Sequence, residues 1–411
     1  MIRLHPEQLN GKLQFMRDYI SAQNAADGSK MDANANVTQK NIATMEAEIM
    51  KDFFVQINRA QVSRKIAEIF DQSVADEYIR QIEAHEIYVH DETSLKPYCV
   101  SVTLYPFLLD GLSKLGGESK APQHLASFCG SFINLVFAIS AQFAGAVATV
   151  EFLTYFDYFA RKDYGDDYLE THGKEIANHM QQVVYSINQP AAARGYQSVF
   201  WNISVYDQYY FDAMFGDFVF PDFSKPVWAS VAKLQNFFLK WFNQERTKAV
   251  LTFPVVTAAM LTDGGKCKDT VFADEMAREL AEGNSFFVYL SDNPDSLASC
   301  CRLRNAIEDR TFSYTLGAGG VATGSINVIT INMNRLEQDG RDLAAEVGKI
   351  HKYQYAYRKL MEEYQAAGML PVYDAGFITL DKQFLTIGIN GMAEAAESRG
   401  IKVGYNDDYI N

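Results

Sequence analysis

The stretch 325-SINVITINMN-334 decides the fold class. Apolar residues fall on both of its alternating faces. A half-exposed antiparallel strand would show polar residues on one face, whereas a strand covered on both sides reads as a near-continuous apolar run. This segment is therefore predicted to be a central strand with structure packed above and below it.

Working outward, similar strand-like segments lie at 98-YCVSVTL-104, 196–206, 249-AVLTFPVVT-257 and 285-SFFVYL-290. Helical spacing, with apolar residues three and four apart, occupies 41–86, 123–163, 174–187, 227–246, 271–283, 339–367 and a short piece near 391–400. Strands alternating with helices predict an α/β fold with largely buried strands. The most apolar run, 132-FINLVFAISAQFAGAVATVEFL-153, is interrupted by Asn134, Ser140, Gln142 and Gly145, and is read as a buried helix and not as a membrane span. Residues 22–40 are small and polar, and 1–40 are read as an N-terminal arm preceding a single domain over 41–411. There is no internal repeat.

Composition narrows the function classes. The chain has 411 residues, 48% of them hydrophobic, with a formal net charge of −14. Strong non-specific binding to nucleic acid or an anionic membrane needs basic surface, so neither partner is expected. Five unevenly spaced cysteines, and a start (MIRLHPEQLNGK) without an apolar signal core, suit a reducing cytoplasm. No C-x-x-C pair is present, so no structural zinc site is expected within the chain.

Three features could carry chemistry. The glycine cluster 316-LGAGGVATGS-325 loosely fits a dinucleotide loop. A strand follows it, however, where that motif demands a helix, so a tight loop is the simpler reading. His90 and Asp91 are adjacent in 88-YVHDETSLKPYC-99. They either cap a helix end or act directly. Of the cysteines, Cys129 reads as core and Cys267 as surface. Cys99 lies on a predicted strand, and Cys300 and Cys301 are neighbours in 296-SLASCCRLRN-305. Adjacent cysteines pair poorly with each other, because one peptide link sets their Cα atoms about 3.8 Å apart and a disulfide wants roughly 4.4–6.8 Å. Thiols from distant segments can cooperate only if the fold brings them together.

Read in order, 33-ANANV-37, 85-HEIYVHDETSLKPYCVSV-102, LLDG at 108–111, 194-RGYQSVFWNIS-204, 252-TFPVVT-257, 299-SCCRLR-304, 317-GAGGVATGSINVITINMNRL-336 and 386-TIGINGMAEA-395 resemble the catalytic subunit of anaerobic (class III) ribonucleoside-triphosphate reductases, a glycyl radical enzyme family. The segments around Cys99 and Cys301 are individually specific; the rest gain weight from their order.

The resemblance implies an α/β fold of the ten-stranded barrel type shared by glycyl radical enzymes and ribonucleotide reductases, with a finger loop through its centre. It implies anaerobic reduction of ribonucleoside triphosphates under dNTP or ATP effectors. Cys301 then matches the cysteine that becomes a thiyl radical, and Cys99 the one that delivers a reducing hydrogen. Cys300, Ser325, Asn327, His90, Asp91, Gln197 and Asn202 become accessory or substrate-binding candidates. Formate-using relatives have an asparagine where Ser325 stands, which leaves formate or a thioredoxin- or glutaredoxin-type redoxin as reductant.

The nucleotide-binding cone domain, the four-cysteine zinc region and the R-V-x-G-Y radical motif of the family are not matched. The tail 402-KVGYNDD-408 is read as a coincidental likeness. The barrel is thus expected to be incomplete, with zinc and the glycyl radical residing on a second chain of a split enzyme. Activation would come from a radical SAM iron–sulfur enzyme, and the assembly is expected to be a homodimer. Two alternatives stand beside this reading: an inactive nucleotide-binding paralogue, and a pyruvate formate-lyase-like enzyme, which would have no need of Cys99.

Overall fold

The computed structural model describes residues 4–21, 41–189, 198–292, 296–299, 303–306 and 322–410. Helix α1 (Pro6–Ser21) lies within the segment expected to be an arm, and none of its residues is buried. Helix α2 (Ile42–Ile69) opens on a capping box. The Asn41 side chain accepts the Thr44 N–H, and the Thr44 hydroxyl accepts the Asn41 N–H. Helix α3 (Gln72–Glu83) is capped by Asp71. Then come β1 (Ile87–Val89), β2 (Cys99–Ser101), α4 (Tyr105–Asp110), α5 (Leu125–Ser140), β3 (Val147–Ala148), α6 (Phe152–Tyr164), α7 (Tyr168–Thr171), α8 (Gly173–Ile187) and β4 (Trp201–Tyr206). Helices α9 (Gln208–Phe215) and α10 (Trp228–Lys248) lead to β5 (Val255–Asp263) and β6 (Lys266–Cys267). They are followed by α11 (Thr270–Ala281), β7 (Phe286–Ser291) and a hairpin, β8 (Ser296–Ser299) and β9 (Leu303–Ala306). Strand β10 (Thr323–Asn332), α12 (Met333–Gln338), α13 (Leu343–Ala366), α14 (Pro371–Asp374), β11 (Gln383–Asn390), α15 (Met392–Ser398) and α16 (Asp407–Ile410) follow.

The main sheet runs β7-β5-β4-β3-β2-β10-β11. From β2 to β7 the strands are parallel, as are β10 and β11. The β2–β10 seam is antiparallel, β1 continues antiparallel along the same side of β10, and the short β6 turns back antiparallel on the end of β5. Two parallel blocks meeting at one antiparallel seam, with the outer edges of β7 and β11 left without a strand among the described residues, make an open barrel. That agrees with the expectation of an incomplete one.

The helices cover one side. Trp201 of β4 packs on Phe132 of α5 and Phe152 of α6, within a core that runs from Cys99 to Ile378. A second core joins α2, α3 and α13 to β1 and β10 through Val62, Ile66, Tyr78, Ile329 and Tyr353. Beside it lies an ion network. Arg341 reaches Glu86 at 2.8 Å and the buried Glu346 at 3.3 Å, and the Gln81 amide also donates to Glu346.

Several expectations are corrected. The apolar run 132–153 is not one helix: α5 stops at Ser140, the chain turns, and Val147–Ala148 enter the sheet before α6 begins. A two-residue strand carries no periodicity of its own, so it was hidden in the run. The strand expected at 249–257 begins at Val255, after Pro254, which has no N–H to give to a ladder. The segment 285–290, expected to be buried, is half-exposed along β7. Strand β11 was not anticipated at all.

Candidate active site

Register places the candidate residues. Cys99 pairs with Ser325 across the antiparallel seam. One row further along, Thr323, Ser101, Ala148, Asn202 and Val255 are successive partners across five strands. Beyond them, Ser204 pairs with Thr257. Paired residues share a face of the sheet, and successive residues alternate. Cys99, Ser325, Ser101, Asn202 and Ser204 therefore share the face opposite Trp201, away from the helices. This concave face is lined by small neutral polar groups.

Cys99 is 2% exposed, and its Sγ accepts the Ala146 N–H at 3.2 Å. A Cβ on Gly145 would stand 2.5 Å from that sulfur, so only glycine admits the thiol here. The Cys99 carbonyl accepts the Gln383 side-chain amide at 3.2 Å. The Ser325 hydroxyl donates to the Asn327 carbonyl at 3.0 Å and lies 2.8 Å from the Thr386 hydroxyl. A bulge between Ser325 and Asn327 shifts the register against β11. The Asn327 Oδ1 is buried and has no hydrogen-bond partner among the described residues. Asn202, two strands from Cys99, donates to the Val255 carbonyl at 2.8 Å.

His90 does not cap a helix, because α3 ended at Glu83; it follows β1 instead. Its backbone N–H donates to Val328 at 3.1 Å, and its Nε2 lies 2.8 Å from the Thr330 hydroxyl. Its ring meets Tyr98, the neighbour of Cys99, edge to face at 5.7 Å. Asp91 turns the chain through the left-handed region (φ 51°), which Asp tolerates better than most residues. His90 thus belongs to the wall beside Cys99, while Asp91 is exposed at its turn.

Cys300, Cys301 and Gln197 lie outside the described residues, as does the glycine cluster up to residue 321. Their flanks are informative. Ser299 pairs with Leu303, so residues 300–302 link β8 to β9. Strand β8 approaches β4, β5 and β7, and β9 approaches β10. Strands β2 and β3 separate β4 from β10 in the sheet, so a narrow hairpin near both must lie across one face. The helices occupy the other face, which leaves the concave side.

Sequence reasoning missed Ser101 and Ser204. Both hydroxyls are buried without a hydrogen-bond partner among the described residues. The signal was present as polar residues at alternate positions in 99-CVSVT-103 and 202-NISVY-206. Glu151, just past β3, was also missed. Its Oε2 accepts the Leu104 N–H at 2.6 Å and the Thr103 hydroxyl at 3.3 Å, while Oε1 has no such partner. Burial pushes its carboxyl up to about 8. Among the described residues no cluster of three or more His, Cys, Asp or Glu could hold a metal ion, and no helix is long and apolar enough to cross a membrane.

With this geometry in place, the model of the family "Anaerobic ribonucleoside-triphosphate reductase" matches residues 46–409. The chain belongs to that family.

A solved anaerobic ribonucleotide reductase is 30% identical to this reductase-family chain and superposes with a TM-score of 0.81 over 96% of it. The Thermotoga maritima anaerobic ribonucleotide reductase with citrate in the active site is 28% identical, with a TM-score of 0.80 over 98%. The same enzyme in complex with dATP and CTP is 27% identical, with a TM-score of 0.78 over 97%. No curated protein matches the chain. This reductase-family chain spans 62%, 71% and 69% of those three structures' own length.

Proposed function

We propose that this chain carries the two working thiols of an anaerobic ribonucleotide reductase, and that a second polypeptide carries the glycyl radical and the zinc site. The observation that supports this most directly is the placement of Cys99. It is buried on a concave, neutral polar face, opposite Ser325, on the side of the sheet across which the hairpin bearing residues 300–302 lies. Two open sheet edges leave room for further structure.

On this reading the substrate is a ribonucleoside triphosphate and the effectors are dNTP or ATP, as the dATP and CTP bound by the T. maritima relative suggest. The glycyl radical supplies the one-electron oxidant. The Cys301 sulfur then takes the 3′-hydrogen of the ribose. The 2′-hydroxyl leaves as water, which breaks a C–O bond, and the Cys99 S–H supplies the hydrogen of the new C–H bond. Formate or a redoxin supplies the two electrons: a hydrogen atom restores the Cys99 S–H, one further electron with a proton reduces the 3′-ketone left after water departs, and Cys301 returns its hydrogen to C3′. A surface without formal charge suits these hydrogen-atom transfers, which develop little charge for a fixed ion to stabilise. Cys300 is a neighbour of the radical thiol, and Asn202, Ser325, Asn327, His90, Asp91 and Gln197 position the nucleotide. A radical SAM iron–sulfur enzyme activates the assembly, which is a homodimer of the combined chains in a reducing cytoplasm.

The test is co-expression with the neighbouring polypeptide that carries R-V-x-G-Y and four cysteines, followed by anaerobic activation. Deoxynucleotide should form. Cys301→Ser and Cys99→Ala should each abolish it, while Cys300→Ser should retain part. Full turnover by Cys99→Ala would point to acyl transfer and sink the reductase reading.

A further inference from the structure

The stretch 88-YVHDETSLKPYC-99 holds two tyrosines besides its histidine and its thiol. In space they bracket His90. The Tyr88 and His90 ring centroids lie 4.7 Å apart with the planes at 68°, and those of His90 and Tyr98 lie 5.7 Å apart at 77°. The imidazole thus meets a phenol edge to face on either side, the arrangement aromatic pairs prefer.

The sheet fixes the side on which these rings stand. Ile87 and Val89 are 3% and 4% exposed, in the core shared with α2, α3 and α13, so Tyr88 between them points to the concave face. Tyr88 pairs with Thr330, the residue whose hydroxyl meets the His90 ring, and it is 58% exposed. Tyr98 closes the group against the thiol. A Cβ on Gly145 would stand 2.5 Å from the Cys99 Sγ and 3.4 Å from the Tyr98 Cε1, so ring and sulfur are close neighbours.

Position along β10 gives these groups an order. Tyr88 lies beside Thr330, the His90 N–H donates to Val328, and the Tyr98 N–H donates to the Ser325 and Ile326 carbonyls. Cys99 follows opposite Ser325, and Ser101 opposite Thr323. Flat rings, then a thiol, then a hydroxyl run in one direction. A ribonucleotide has the same order: a flat base, a ribose and a polar phosphate tail. With the ribose at Cys99, the tail runs towards Ser101 and the base falls on the rings.

Resting on the nucleotide-reducing reading above, we propose that Tyr88, His90 and Tyr98 form the platform that holds the nucleobase, with Tyr88 as the ring on which the base stacks. Rings locked against one another lose little freedom when a ligand arrives. Every base has a π-face, so a stacking platform grips all four. It sets affinity and pose, and leaves the choice among bases to other parts of the molecule.

Calorimetric titration of the protein with CTP, UTP and GTP, and with ribose 5-triphosphate as a base-free probe, tests this. None of the four is a dNTP or ATP, so effector binding does not enter. Tyr88→Ala should weaken the three nucleotides by about 5- to 150-fold, the range for loss of a stacked ring, and leave ribose 5-triphosphate unchanged. Tyr88→Phe keeps the ring and should bind as the parent does. Because Tyr88 is exposed, the melting temperature of both variants should match the parent. Irradiated 4-thio-UTP should crosslink within residues 88–98. Equal weakening of nucleotides and base-free probe, no weakening of either, or a crosslink confined to other segments overturns the platform and leaves nucleotide binding standing. A parent that binds neither nucleotide nor base-free probe overturns the platform and the nucleotide reading together.

Discussion

Cys99 and Ser325 face each other across the antiparallel β2–β10 seam of the sheet, 226 positions apart in sequence, and both are almost completely buried. The thiol fits because Gly145 has no side chain. Gly145→Ala should destabilise the chain by about 1–3 kcal/mol, as overpacking of a core does. Cys99→Ala removes the sulfur that the new methyl would strike, so the double variant should recover about 1 kcal/mol or more in a denaturant-unfolding cycle. Strict additivity would show that the two residues do not touch.

Glu151 makes stability depend on pH. Its folded carboxyl holds the proton up to about 8, whereas the unfolded one releases it near the ordinary 4.5. The native state therefore binds the proton more tightly. Its stabilising contribution is complete below pH 4.5 and is lost as pH rises towards 8. Glu151→Gln, which stays neutral, should match the parent near pH 4.5 and exceed it increasingly up to pH 8. Melting temperatures compared across that range would reveal it; parallel curves would refute it.

Among the described residues the Ser101 and Ser204 hydroxyls are buried without partners, so Ser101→Ala and Ser204→Ala should leave the free chain equally stable or stabilise it by up to about 1 kcal/mol. The same variants should raise the KM for the nucleotide in the assembled enzyme. A loss of stability with unchanged kinetics would assign them to packing.

Glu346 is 2% exposed beside Arg341 and Gln81. Glu346→Ala takes the buried acceptor from the Gln81 amide while Arg341 keeps Glu86 and Asp339, and should cost about 1–3 kcal/mol, as loss of one partner of a buried donor does. Chemical denaturation would measure the loss, and Arg341→Met combined with Glu346→Leu should restore part of it.

The sheet's interior was legible in sequence because buried parallel strands are apolar runs of β-branched and aromatic residues, as in β4, β5 and β10. Strand β11 was not legible. Its TIGIN segment contains Gly388, which reads as a breaker, yet a Cβ there would stand 2.4 Å from the Thr330 hydroxyl. The glycine marks close approach of two strands, which only the fold reveals. The seam between Cys99 and Ser325 was legible only through family resemblance, since no local pattern links segments so far apart. Ser101 and Ser204 went unnoticed because a serine in a strand is ordinary until its partners are counted.

The hydrogen bond from the Gln383 side chain to the Cys99 carbonyl joins residues 284 positions apart. Enclosure of this thiol therefore waits for residues made long after it. Until residues 323–390 have left the ribosome, neither the seam nor its β11 flank exists, and the sulfur stays open to solvent. Such long-range closure is slow compared with helix formation. Reactivity of Cys99 towards an alkylating reagent, followed on stalled nascent chains of increasing length, would act as a clock, with protection arriving abruptly once β11 has emerged.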